Sequence, residues 1–403
     1  MDRNRSGARQ QIVIAGAGYA GLHVALRLAA WDDRHRAAVV TLVDQHPYHQ
    51  AITELPRVAA GTRAAQAVRV PLAQVLEQSV TFVQARVSGF DLASRWLLTE
   101  AGPLPYTRLV LALGSRPNDF GIPGLRERAL SVYSVDDAEH VWAAVNAAMQ
   151  DVAGESDRQR QRRLLTAVIG GAGAVGVELA GALAEEMPAL ARRHGLSPDL
   201  PRVVLVEAGP TILAGSSPDL IARATRILGE LSVIVRTNAM IAAATGAGIR
   251  LIGGDVIEGS VFVWAGGVKA PEVVLGSGLP IGHNGRIKVD EYLRVLDHPE
   301  VYIAGDLASV VDQQTGHTLP ALAQIALDEA ETVAHNLEVE LTGQTLEPFR
   351  FRNKGFVVSV GGQRGVADVA GHTIGGRLAH ALKDAIEWEY RQSVKHLHGW
   401  SPV

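Results

Sequence analysis

The chain has 403 residues, with 38 basic against 42 acidic side chains for a formal net charge of −4, and no cysteine. That length exceeds what one core ordinarily holds, so two domains are expected; without thiols there is no disulfide, thiolate metal site, iron–sulfur cluster or cysteine redox relay. Charges of both signs are interspersed, so no basic stripe neutralises a phosphate backbone, and nucleic acid is excluded as a partner.

Hydrophobic residues make up 47% and charged residues 20%, and the mean hydropathy is +0.11. This is apolar, yet within the range of an Ala- and Gly-rich α/β enzyme. The opening "MDRNRSGARQ" is polar and runs into "QIVIAGAG" with no apolar core of a signal peptide between them, which predicts a cytoplasmic protein.

"QIVIAGAGYAGLHVALRLA" predicts a buried strand over Ile12–Ile14, a glycine turn, and a helix continuing through Leu22, Ala25, Leu26 and Leu28. Gly16, Gly18 and Gly21 have the G-x-G-x-x-G spacing. The first permits the tight turn, the second lets backbone N–H groups approach a pyrophosphate, and the third lets the helix lie close on the strand. "AVVTLVDQ" then ends in Asp44, about 20 residues beyond the last glycine, where a carboxylate can take ribose hydroxyls.

Farther on, "YTRLVLALGSRPNDFGIPG" predicts a strand over Leu109–Leu113 that ends at Gly114, followed by a Pro/Gly-rich link. "TAVIGGAGAVGVELAGALA" resembles a membrane span in hydropathy, but its central glycines weaken a helix and Glu178 would sit at mid-bilayer. Strand, glycine turn and helix explain the same stretch. Gly171, Gly173 and Gly176 repeat the fingerprint, and "PRVVLVEAG" ends its strand on Glu207. The interval is longer here, and "EEMPALARRHGLSPDL" is expected to extend the helix and its return loop. Two loops imply two dinucleotides.

At about 100° per residue, Glu178 lies about 200° round the helix from Gly176. If Gly176, Val175 and Leu179 face the sheet, Glu178 points away from it. The alternative for this carboxylate is a purely structural one at a helix N-terminus. "GSVFVWAGGVKAPE" then repeats the earlier arrangement, with a strand over Val261–Trp264, Gly266, Gly267 and a link containing Pro271, so the second half is inserted into the first.

"VYIAGDLASV" places Gly305 and Asp306 at a strand end, before a helix from about Leu322. Asp306 either accepts hydrogen bonds from a ribityl or ribose hydroxyl or caps a helix. The tail "RLAHALKDAIEWEYRQSVKHLHGW" carries Leu378, Leu382, Ile386, Tyr390, Val394 and Leu397 at helical spacing, with Lys383, Asp384, Glu387, Arg391 and Lys395 elsewhere. Trp388 and Trp400 are candidate interfacial anchors. The paired histidines of "HPYHQ" and "HLHGW" lack supporting ligands and read as surface or packing residues, so no metal site is expected.

In order along the chain, "IVIAGAGYAGL", "LVDQHPYHQ", "LVLALGSRPN", "VIGGAGAVGVELAG", "VFVWAGGVKAPE", "VYIAGDLA", "ALAQIALDEA" and "NKGFVVSVGG" resemble the two-dinucleotide-binding flavoproteins of the pyridine nucleotide oxidoreductases. Within these they are similar to the type II NADH dehydrogenases, the NADH:quinone oxidoreductases. The likeness runs from about Gln11 to about Gly362. It implies an α/β fold of two Rossmann-like dinucleotide-binding domains: an FAD domain over 1–120 and 276–345, an inserted NAD(H) domain over 121–275, and a C-terminal region over 346–403 with an amphipathic helix.

The same resemblance assigns FAD to Gly16, Gly18, Gly21, Asp44, Gly114, Gly305 and Asp306, with His49 and Gln50 close enough to line that site. NADH falls to Gly171, Gly173, Gly176 and Glu207. A carboxylate at Glu207 repels a 2′-phosphate and favours NADH over NADPH, unless Arg202 or another base reaches it. Gln324 matches the first glutamine of the family's quinone motif, whereas the second falls on Asp328. Lys354 matches a lysine near the flavin and quinone tunnel, its alternative being a solvated loop lysine. Glu178 matches a glutamate that handles protons near the nicotinamide and the quinone route.

The implied reaction carries hydride from NADH to FAD and two electrons on to a quinone, without proton pumping. Zero cysteine sets the chain apart from the disulfide reductases, coenzyme A disulfide reductases and sulfide:quinone oxidoreductases of the superfamily. Alternatives are a soluble NAD(P)H-dependent reductase of a ferredoxin-type protein and a flavin-binding redox sensor. The C-terminal helix is expected to contact the inner face of the cell membrane, form a homodimer contact, or pack on its own domain.

Overall fold

A computed structural model of the protein describes residues 9–35, 37–313 and 315–395. Strand β1 (Gln10–Ala15) leads through the first glycine turn into helix α1 (Tyr19–His35) and returns as β2 (Ala38–Asp44). The short helix α2 (Leu55–Ala59) and strand β3 (Val80–Gln84) follow. A three-stranded antiparallel ribbon over 87–105 then precedes β4 (Arg108–Leu111).

The second half begins with β5 (Leu130–Ser131) and helix α3 (Val135–Asp151), which a reciprocal Ser134–Asp137 capping box starts. Next come β6 (Thr166–Gly170), helix α4 (Ala174–Arg193), β7 (Arg202–Val206), helix α5 (Pro218–Glu230), β8 (Ile234–Arg236) and β9 (Val261–Trp264). The chain returns as β10 (Arg294–Val295), β11 (His298–Ile303) and helix α6 (Ala323–Thr342). It ends in an antiparallel sheet of β12 (Phe356–Ser359), β13 (Gly365–Val369) and β14 (His372–Gly376), then helix α7 (Arg377–Lys395).

Two Rossmann-like sheets result. The first has the order β10-β11-β4-β1-β2-β3, parallel but for β10, and the second has β5-β9-β6-β7-β8, parallel throughout. Strands covered by helices on both faces must be apolar on both faces; all five residues of β6 are buried, as are Ile12, Val13, Ile14 and Ala15 of β1. The chain passes between the sheets twice, side by side: Arg116–Pro117 pairs antiparallel with Val268–Lys269. Every strand of the second sheet lies between those two passages in sequence, while the first sheet takes strands from both sides of them.

The C-terminal sheet packs on α4 and α5, and α7 lies across it. A Cβ on Gly181 of α4 would stand 2.5 Å from the Gly361 nitrogen, so helix and turn approach at backbone distance. This contact brings residues 359–362 beside Glu178.

Three local expectations are corrected. The strand after the antiparallel ribbon ends at Leu111, not Leu113, because the chain turns early toward Gly114 (φ +64°). Val175 does not face the sheet: it is 39% exposed, since the first turn of α4 overhangs the strand ends. Helix α7 does not bury the aliphatic stripe read from sequence. Leu378 and Ile386 are 66% and 47% exposed, whereas Lys383 and Glu387 are each only 7% exposed. The physical reason is that the charges have partners across the interface. Val394 is buried as expected, and Trp388 is 59% exposed. Leu397, Trp400 and the "HLHGW" histidines lie outside the described residues. Among the described residues no helix is long and apolar enough to cross a membrane, and no cluster of three or more His, Asp or Glu side chains is placed to hold a metal ion.

Candidate functional site

Both glycine turns are built the same way. Asp44 ends β2, and its Oδ2 accepts from Ala17 N at 2.7 Å while Oδ1 accepts from His46 N at 2.8 Å. Glu207 follows β7, and its Oε2 accepts from Ala172 N at 2.7 Å while Oε1 accepts from Gly209 N at 2.8 Å. Each acid therefore braces the loop beside it, and a carboxylate keeps further lone pairs for a hydroxyl. A Cβ on Gly21 or on Gly176 would stand 1.9 Å from the carbonyl oxygen of Gly16 or Gly171, whereas one on Gly18 or Gly173 would meet no atom within 4 Å. The third glycine of each loop serves helix–turn packing; the second presents bare backbone at the N-terminus of α1 or α4.

One cavity of about 1330 Å³ runs from the first loop into the gap between the two halves and the C-terminal helix. Gly16, Gly18, Asp44, Gly114, Gly305 and Asp306 line it, and so do Glu178, Gln324 and Lys354. Gly21, Gly171, Gly173, Gly176 and Glu207 are not among its walls; α4 enters the cavity through Ala174, Val175 and Glu178. The volume exceeds the roughly 300–1,000 Å³ of an ordinary small-molecule cleft, so it has room for a dinucleotide and a second ligand. The bare backbone at Gly18, the N-terminus of α1 and the Asp306 carboxylate at the far end fit an extended flavin dinucleotide.

Around Asp306 the hydrogen bonding is dense. Its Oδ2 accepts from Ser115 Oγ at 2.7 Å, and Gly305 N donates to Glu329 Oε2 at 2.6 Å. Glu329 is fully buried, and burial raises it to about 8 against the opposing effects of the Gly305 amide and Arg286. Burial thus favours its protonated form, placed directly behind the glycine–aspartate turn. Sequence reading missed Glu329; the signal was a second acid directly after Asp328, on the face of α6 toward that turn.

Gln324 donates from Nε2 to the Arg352 carbonyl at 3.2 Å, and Lys354 Nζ pairs with Asp328 Oδ1 at 3.2 Å. The aspartate at the second motif position thus holds the lysine of the following loop, and all three side chains face the same cavity.

Glu178 points away from β6, as the helical geometry requires, and is buried against the C-terminal region. Its Oε1 accepts from Ser359 N at 3.0 Å and pairs with Lys383 Nζ. Lys383 also lies 3.5 Å from Glu387, which lies 3.5 Å from Arg57; Arg57 in turn donates to Asp384 at 2.6 Å. Beside them the fully buried Glu54 pairs with Arg63 at 2.7 Å and with Arg391. Burial raises Glu387 to about 7, opposed by Lys383 and Arg57. Its oxygens have ion-pair neighbours but no hydrogen bond.

His49, expected to line the flavin site, is not among the cavity's walls and packs beneath the first loop instead. It is fully buried, with Nδ1 2.9 Å from Ala17 O and Nε2 2.9 Å from Tyr390 Oη. A carbonyl only accepts, so Nδ1 carries the hydrogen and Nε2 accepts from the tyrosine. Tyr390 stacks on Tyr19 with ring centroids 4.5 Å apart. Helix α7 is thereby clamped to the first glycine loop. Gln50 lines the cavity and its Oε1 accepts from Val135 N at 2.9 Å. Arg202 begins β7 while Glu207 follows its other end, about 3.3 Å per residue away, so it does not serve as a base at that carboxylate.

Known proteins share this architecture. NDH2 from Plasmodium falciparum, solved in complex with NADH, superposes with a TM-score of 0.85 at 16% identity, covering 95% of each chain. The sulfide:quinone oxidoreductase of Aquifex aeolicus does so with a TM-score of 0.77 at 17% identity, covering 96% of this chain and 92% of its own. These likenesses show the fold. Curated relatives from Staphylococcus saprophyticus and Staphylococcus aureus, each called a type II NADH:quinone oxidoreductase, are 29% identical over 383 residues, 94% of this chain and 94% of theirs. The family model described as pyridine nucleotide-disulphide oxidoreductase matches residues 10–330, and the chain belongs to that family.

Proposed function

We propose that this protein is an FAD-dependent NADH:quinone oxidoreductase. The observation that carries this reading is the single cavity in which the first glycine loop meets Glu178 of the second half and an aliphatic wall from Leu382 and Ile386 of α7. A nicotinamide arriving from the second loop and an apolar acceptor arriving along α7 would both reach its centre. The relatives named for this activity support it.

When bound, FAD supplies the redox chemistry, taking up a hydride and giving up an electron pair. The protein's part is to hold the partners and supply protons. Gly16 and Gly18, with the N-terminus of α1, would seat the pyrophosphate of FAD, with Asp44 and Asp306 taking hydroxyls at either end. Gly173, Gly176 and the N-terminus of α4 would do the same for NADH. With both Glu207 oxygens held by backbone amides, the carboxylate stays in place to repel a 2′-phosphate, favouring NADH over NADPH. Gln324, and Lys354 held by Asp328, would meet the quinone. The net reaction, NADH + H⁺ + quinone → NAD⁺ + hydroquinone, runs without a cysteine relay because the chain has no cysteine.

Leu378, Ile386 and Trp388 are exposed on α7 and offer apolar contact to a lipid surface, and Ile386 also lines the cavity. This suits a peripheral protein of the inner membrane face that takes its acceptor from the bilayer and pumps no proton. A second copy of the chain is the competing occupant; flotation with liposomes separates the two.

Anaerobic stopped-flow of the flavin-loaded protein tests the reaction. NADH should bleach the flavin faster than NADPH does, and a short-chain quinone should reoxidise it far faster than air. Reoxidation by quinone no faster than by air would overturn the reading.

A further inference from the structure

Helix α6 borders the cavity with one face and the Gly305–Asp306 turn with another. Gln324 and Asp328 line the cavity. Glu329, about 100° farther round the helix than Asp328, is fully buried and is not among the cavity's walls. Its Oε2 accepts from Gly305 N at 2.6 Å, and its Oε1 is buried with no hydrogen-bond partner. Glu329 therefore touches the turn that lines the cavity without reaching the cavity itself.

The turn has little room to shift. Gly305 adopts φ +75°, and a Cβ there would lie 3.4 Å from Ala20 of α1 and 3.7 Å from Ala326 of α6, so two helices enclose it. Asp306 Oδ2 accepts from Ser115 Oγ at 2.7 Å, which leaves Oδ1 to take a flavin hydroxyl.

Glu329 has no close counter-ion to support a charge. Among the described residues no cation stands within ion-pair distance of it. Arg286, the positive group that acts on it, donates from Nη1 to the Leu319 carbonyl at 2.7 Å, and Lys354 is taken by Asp328 at 3.2 Å. Asp306, the residue after Gly305, and Asp328 both oppose a negative charge on it. A carboxyl buried this completely without a paired cation favours its protonated form, because an isolated charge is costly to bury.

We propose that Glu329 is a positioning residue for the flavin: in its protonated form it braces the Gly305 amide and so holds Asp306 in place, and release of its proton weakens flavin binding. The inference rests on FAD occupying the first loop and is independent of the acceptor. The linkage has a physical cause. Bound flavin covers the turn and takes water away from Asp306, whose charge is then less screened. A second negative charge just behind the turn is repelled more strongly than in the ligand-free protein, so flavin binding and protonation favour each other. No proton passes to flavin or substrate; the group acts only through the turn. Burial raises Glu329 to about 8, with Asp306 and Asp328 adding to the effect and the Gly305 amide and Arg286 opposing it. The release therefore falls just above neutral pH.

Equilibrium dialysis of the flavin-loaded protein over a series of pH values tests this. For the unaltered chain the FAD dissociation constant should be level below about pH 7 and rise about tenfold between about pH 7.5 and 9.5. Glu329→Gln keeps an acceptor for Gly305 N and has no proton to lose, so its dissociation constant should be the same at both ends of that range. Glu329→Leu removes the acceptor as well and should bind FAD weakly throughout. Calorimetry of FAD binding in two buffers of different ionisation enthalpy gives a second readout: near pH 8 the unaltered protein should take up a fraction of a proton that Glu329→Gln does not. A level dissociation constant in the unaltered protein would overturn the inference, as would a rise that Glu329→Gln shares, which is the outcome for a merely structural residue. If the unaltered protein binds FAD at no pH, the assignment of flavin to the first loop fails first and the inference falls with it.

Discussion

Glu178 and Lys383, 205 positions apart in sequence, form an ion pair buried between the second glycine loop's helix and the C-terminal helix. It fixes where α7 lies and which way the Glu178 carboxylate faces. Removing one partner leaves the other charge buried alone. Lys383→Met should therefore destabilise the protein by about 3–5 kcal/mol, read as a shift in the denaturant midpoint. Adding Glu178→Gln to Lys383→Met should recover much of that loss; a strictly additive double variant would show that the two groups do not interact.

The glycines divide by what surrounds them. Gly21→Ala and Gly176→Ala place a Cβ 1.9 Å from a backbone oxygen and should cost more than about 2 kcal/mol of stability. Gly18→Ala and Gly173→Ala meet no protein atom, so stability without ligands should stay within about 0.5 kcal/mol. Their loss should appear in binding: flavin content for Gly18→Ala, NADH affinity for Gly173→Ala, by about tenfold or more. Thermal melts of the ligand-free proteins beside a flavin and NADH titration separate the two classes.

Glu329 supplies a pH prediction. Its folded value of about 8 lies above its ordinary 4.5, so between these values the folded protein holds a proton that the unfolded chain has lost. Stability from this group therefore falls as pH rises from about 4.5 through about 8 and is level beyond. Glu329→Gln keeps an acceptor for the Gly305 N–H and removes the titration. Its melting temperature should gain on the original protein's progressively from pH 6 to about 8.5; parallel curves would count against a protonated Glu329.

His49 acts in the opposite direction. Burial holds it at about 4, below its ordinary 6.5, so stability is full above about 6.5 and is lost as pH falls toward 4, where only the unfolded chain has gained the proton. His49→Gln should flatten the acid side of the melting curve. Tyr390→Phe keeps the stack on Tyr19 but leaves Nε2 without its donor, and should cost about 1 kcal/mol. An unchanged midpoint in Tyr390→Phe would show that the clamp between α7 and the first loop does not contribute.

Most of what is encoded within about forty residues was legible from the chain alone, the strand end at Leu111 and the exposure of Val175 apart. The two strand–glycine–helix units follow from local rules: apolar strands, glycines where backbone must turn or be left bare, and an acid at the next strand's end. The direction of Glu178 follows from helical periodicity, and the exclusion of a thiol relay from composition. Tertiary structure decided what these elements meet. Lys383 and Glu387 read as the solvated side of an amphipathic helix, because periodicity records polarity but not partners. They are buried since Arg57 of α2 and Glu178 of α4 neutralise them from distant parts of the chain. For the same reason Glu329, and the partners of His49, became visible only when Gly305 and Ala17 were placed against them: a buried polar group is defined by its long-range partner, and no local pattern in a sequence names that partner.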